Sequence, residues 1–209
     1  MNLFARRQPE IDDKTIRAAA NRSRIIGERQ TTERFARAME LLSDEKLEVR
    51  LGGIYTLEQL AKDSPIDQGP VIEVLATFVR ERVGWKIGGP VPDRIASEIQ
   101  VILTVLGRRE WSFAREDKPL DLHGTCLAHA HLPFAHFERA FLYETNLERT
   151  LLYRANLQGA WLAKSILTYA NLDEAHLEGA DLSGAIGLTR EQLKTAFVDG
   201  ETRLPKGLG

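Results

Sequence analysis

Cysteine is almost absent from this 209-residue chain: Cys126 is the only one, so no disulfide can form within it. An excess of either charge is also missing. Lys and Arg total 28 against 30 Asp and Glu, a net charge of −2, which excludes a global basic field for nucleic acid. No apolar run approaches the length of a membrane span. The start, MNLFARRQPE, lacks an apolar stretch long enough for a secretory signal. A cytoplasmic protein without a membrane span is therefore expected. The sequence has no G-x-S-x-G, Walker A, H-E-x-x-H or dinucleotide fingerprint. We expect no catalytic residues, no cofactor and no bound metal, and hence no enzyme.

What is present divides into two halves. Residues 12–110 show helical periodicity. Phe35, Met39 and Leu42 form one stripe, and Leu47, Leu51, Ile54, Leu57 and Ala61 a second. Ile72, Leu75 and Val79 form a third, and Ile95, Ile99, Ile102 and Leu106 a fourth. Each stripe needs a partner to bury against. Gly69-Pro70 predicts the entry to the third helix, with Pro70 at its first position. Asp93 is the expected cap of the fourth. Gly84–Pro92 reads as a turn or linker. Residues 1–30 form a separate arm with a weak stripe (Ile16, Ala20, Ile26), seven basic residues and four acidic ones.

From Leu120 the period changes to five: LDLHG TCLAH AHLPF AHFER AFLYE TNLER TLLYR ANLQG AWLAK SILTY ANLDE AHLEG ADLSG. Neither helix nor strand has that period, so residues 120–184 read as a repeat architecture. The third position is invariably large and apolar: Leu122, Leu127, Leu132, Phe137, Leu142, Leu147, Leu152, Leu157, Leu162, Leu167, Leu172, Leu177 and Leu182. The first position is Ala, Thr or Ser except at Leu120. The third-position residues are the expected core. The first position is an inward corner for small side chains, and the other three positions are expected to face solvent.

The motif in ANLQG, ANLDE and ADLSG resembles that of the pentapeptide-repeat proteins. The resemblance implies a right-handed quadrilateral β-helix with four units per coil. The preceding segment, ERFARAMELLSDEKLEVRLGGIYTLEQLAKDSP and onward, resembles the helical region of bacterial members and a HEAT or armadillo helix pair. Together these imply an α+β chain in four parts: an arm (1–30), a HEAT-like lobe and linker (31–119), the solenoid (120–184) and a C-terminal helical cap (185–209). Thr189 and Gln192 form a candidate capping box for the tail helix, and Leu193, Ala196 and Phe197 its apolar face. Solenoid ends need covers. The fourth helix, with Trp111 and Phe113 after it, is the expected cover of the first coil.

A protein–protein interaction or scaffold role follows as the leading expectation, because a Leu-filled solenoid has no cleft that excludes water. The five histidines, His123, His129, His131, His136 and His176, fall on diverging sides or separate coils, so they are read as surface residues. Residues 20 apart share a column. Phe141 and Trp161 stack in one, with Tyr143 beside them, and Leu151 with Tyr153 and nearby Phe134 form a second apolar patch. These are the candidate interface residues, with cover of Phe141 and Trp161 by the chain's own helical half or tail as the alternative to a partner. The partner is expected to be a protein, a second copy of this chain among the candidates, with no direct contact to nucleic acid. The alternative that the resemblance brings is a DNA-mimicking protein that binds a topoisomerase, DNA gyrase. Thirteen units make about 3.25 coils, roughly 16 Å, and duplex DNA of that length carries about nine negative charges. The solenoid has eight acids and four bases, net −4.

Overall fold

The computed structural model describes residues 30–108 and 119–208. The expectations for residues 1–29 and for Trp111 and Phe113 lie outside the described residues. Four helices come first: α1 (30–42), α2 (Leu47–Asp63), α3 (Gln68–Val83) and α4 (Ser97–Gly107). Their apolar stripes meet in a core of Leu42, Ile54, Leu57, Leu75, Val79, Ile99, Ile102 and Leu106, all buried. Pro70 stands at the third helical position rather than the first, because α3 already starts at Gln68. The first turn needs no donor there, so the proline is tolerated. Asp93 does not cap α4. That helix begins after Ala96, whose side chain caps nothing. Glu98 in its first turn pairs at 2.9 Å with the largely buried Arg50 of α2.

After Pro119 the backbone pairs in parallel with itself at a spacing of 20 residues, as in Asp121–Phe141–Trp161–Asp181 and His136–Asn156–His176. One coil is therefore four five-residue units. The pairing consists of isolated bridges, and no continuous strand occurs among the described residues. The reason lies within the unit. Its second residue forms the bridge, its third points inward, and its fourth and fifth make a turn, so no side is long enough for a strand. The turn closes by a hydrogen bond such as Ala130 N–H to Leu127 C=O at 3.0 Å. All thirteen fifth-position residues have positive φ, and nine of these are not glycine. Positive φ at the third turn residue alone is the signature of a type II turn.

The preference for Asn or Asp at the second position has a direct cause. The side-chain oxygens of Asp121, Asn146, Asn156, Asn171 and Asp181 each accept from the backbone N–H two residues on, at 2.9–3.2 Å. These Asx turns hold the chain ready for its bend. Inside, all thirteen third-position residues are at most 2% exposed. Each such Leu contributes about 1.5–3 kcal/mol by burial.

Both ends of the solenoid are covered. In later coils the second-position N–H donates to a first-position carbonyl one coil earlier, as Phe141 does to Leu120. The first coil has no predecessor, and the helices supply the acceptors. Val83 C=O takes Cys126 N–H at 2.8 Å, Gln100 Oε1 takes His131 N–H at 2.8 Å, and Gly107 C=O takes His136 N–H at 2.7 Å. Gly107 permits that approach, since a Cβ there would lie 2.9 Å from Ala135 Cβ. At the far end the last coil's carbonyls are taken by the tail: Ser165 by Ile186, Ala175 by Phe197 and Ala180 by Arg203. Ala170 is served by the Gln192 side chain at 2.8 Å. The tail is mostly an irregular final coil. Its helix, α5 (Arg190–Leu193), is one turn closed by the Thr189–Gln192 capping box. Leu193 and Ala196 pack on the core, whereas Phe197 is half exposed and stacks on His176 at 4.7 Å. Gly187 makes the turn into the tail at φ +72, where any Cβ would run into Thr168.

Candidate protein-interaction surface

Side chains at the second and fourth positions of a unit lie together on its outer face. In the first column this sets Phe141 over Trp161, with ring centroids 5.1 Å apart and planes at 57°. Tyr143 lies 6.5 Å from Phe141 and stacks on His123 at 4.7 Å. Phe141 is half-buried, and with Ile72, Ala76 and Arg80 of α3 it lines a groove of about 270 Å³. Trp161, one coil further from α3, is 56% exposed. The aromatics are rimmed by charge pairs: Arg80–Asp121 at 3.3 Å, Lys164–Glu144 at 3.1 Å and Arg203–Asp181 at 3.7 Å.

The third column carries the second patch. Leu151 is exposed, Tyr153 is half-buried, and Phe134 meets Tyr153 edge-on at 5.6 Å. Arg154 lies over the Tyr153 ring at 5.0 Å and pairs with Glu174 at 2.7 Å. Phe134 also lines a groove of about 400 Å³ with Gln100, Leu103 and Thr104 of α4. Phe134 and Phe141 thus each stand where the solenoid meets a helix, on different columns.

The fourth column is polar. His136 and His176 sit 3.2 and 3.0 Å from Glu138 and Glu178, two residues on in the same unit. Burial by itself would raise the Glu178 pKa, but hydrogen bonds from His176, its own backbone N–H and Gln158 outweigh that and hold it below the ordinary carboxylate value. His123 pairs in the same way with Asp121 at 2.6 Å. These pairs were readable in the sequence as second- and fourth-position neighbours, yet comparing histidines only with one another missed them. Among the described residues no group of three His, Cys, Asp or Glu could hold a metal ion.

Cys126 departs from the outward placement expected of its position. It is buried, because the chain leaving α3 lies along the second column, with Gly84 bridged to Thr125. Burial raises its thiol pKa and keeps it protonated. Ala128 in the same unit and Asn146 one coil on are buried as well, contrary to the rule that second and fourth positions face water.

A helical segment docked on a self-pairing coil of 20 residues defines a repeat solenoid. The family model described as Pentapeptide repeats matches residues 130–168 and 150–186, in eight copies. The chain belongs to that family. Solved structures are similar over part of the chain. The pentapeptide repeat protein Rfr23 from the cyanobacterium Cyanothece 51142 is 33% identical over 45% of this chain and 69% of its own, with a TM-score of 0.23. HetL from Nostoc sp. strain PCC 7120, a protein involved in heterocyst differentiation regulation, is 35% identical over 42% of this chain and 41% of its own, TM-score 0.22. QnrB1, a plasmid-mediated fluoroquinolone resistance protein, is 16% identical over 38% of this chain and 48% of its own, TM-score 0.19. No curated protein matches the chain.

Proposed function

We propose that this chain is a non-catalytic scaffold protein of the cytoplasm that binds a protein partner through the outer faces of its solenoid. In this reading the solenoid (120–184) is a right-handed quadrilateral β-helix. A HEAT-like lobe (31–119) covers one end, a cap (185–209) covers the other, and an arm (1–30) precedes them. The observation that carries the reading is Trp161. It is a large apolar ring left 56% exposed beside a half-buried Phe141, inside a rim of paired charges. Buried aromatics inside polar rims supply much of the energy of protein interfaces. Phe141, Tyr143 and Trp161 form the main contact, and Leu151 with Tyr153 a second. Among the described residues no helix is long and apolar enough to cross a membrane.

The test compares wild type with Trp161→Ser and Leu151→Ser in quantitative pull-downs from the source cells. Proteins captured by wild type and lost in the Trp161 variant, at unchanged melting temperature, support the reading. Identical captures by all three overturn the choice of surface.

A gyrase-directed DNA mimic would need a run of uncompensated acids. Here Asp121, Glu144, Glu174 and Asp181 each have a cationic partner within 3.7 Å. Such pairs cancel the field that would imitate phosphates. The scaffold reading is therefore preferred.

A further inference from the structure

We draw no further inference here: the strongest candidate, the open groove at the start of α1 lined by Thr32, Phe35, Ile66 and Pro70 with Asp63 and Asp67 on its rim, is an apolar face that carries nothing because nothing in the structure shows what covers it.

Discussion

The side-chain amide of Gln100 grips the backbone of His131 at both of its polar groups. Gln100 Oε1 accepts from His131 N–H, and Gln100 Nε2 donates to His131 C=O, each at 2.8 Å. A glutamine thus stands where the preceding turn of backbone would be. Gln192 has the matching role at the other end of the same column, donating to Leu167 C=O and Ala170 C=O at 2.8 Å.

Replacing Gln100 by Ala removes both bonds from a site that water can reach. The expected loss is about 1–2 kcal/mol in urea denaturation, at roughly 0.5–1.5 kcal/mol per bond. Gln100→Glu keeps the acceptor and sets a carboxylate against the His131 carbonyl, so it should be no better than Ala. Amide exchange at His131 should quicken in both variants. A Glu variant as stable as wild type would show that the donated bond contributes nothing.

Leu152 is 1% exposed and Ala155 is fully buried, whereas Asn156 is only half-buried. Leu152→Ala should cost about 2–5 kcal/mol. Ala155→Phe forces a ring into a filled corner and should be tolerated far worse than Asn156→Phe. Denaturant melts of the Phe variants read the register directly, and equal stability would contradict the inward placement of the first position.

The two stacked aromatics should separate in their effects. Phe141→Ser strips a half-buried ring from α3 and the groove, and is expected to lower stability by about 1–3 kcal/mol. Trp161→Ser removes a mostly exposed ring and should change stability by less than about 1 kcal/mol. Thermal melts of the two single variants decide this. A larger loss from Trp161 would mean that the chain itself covers that ring.

Glu178 has its pKa lowered in the folded protein relative to an ordinary value of 4.5. The sign follows from linkage. A depressed carboxylate contributes stability above its unfolded pKa, and that contribution fades as pH falls through the folded one. Wild type should therefore exceed Glu178→Gln in stability at pH 7, with the gap closing below about pH 4.5. Urea melts at several pH values provide the measurement. A gap that stays constant down to pH 3 would remove Glu178 from the acid response.

The solenoid core was legible because one rule repeats thirteen times. Every third-position residue from Leu122 to Leu182 is buried. The departures come from tertiary contacts that a local period cannot encode. Cys126 obeys the repeat, yet is buried because Gly84 returns from a distant helix to pair with Thr125. Asp93 has the right chemistry for a cap, but α4 begins later, after Ala96, where Glu98 of the first turn pairs with Arg50 of another helix. Gln100 lies beside the apolar stripe of α4 and gives no local sign that it closes a solenoid 31 residues later. The left-handed fifth position had a partial signal in Gly124, Gly159, Gly179 and Gly184, diluted by nine residues with side chains at the same φ.

The 20-residue pairing interval also sets a phase for any change in chain length. Excising one five-residue unit would leave the Leu stack continuous, because every unit offers the same interior. It would nevertheless advance everything downstream by one column. A cut between Phe141 and Trp161 would carry the indole to a different face from Phe141, while the tail's Gln192 would keep Leu167 and Ala170, which move with it. Excising 20 residues would shorten the rod and keep every downstream face in place. The interior therefore tolerates steps of five, whereas the alignment of the outer faces tolerates only steps of twenty. Insertions and deletions in this solenoid are constrained by what its outside must present, more tightly than by what its inside must pack.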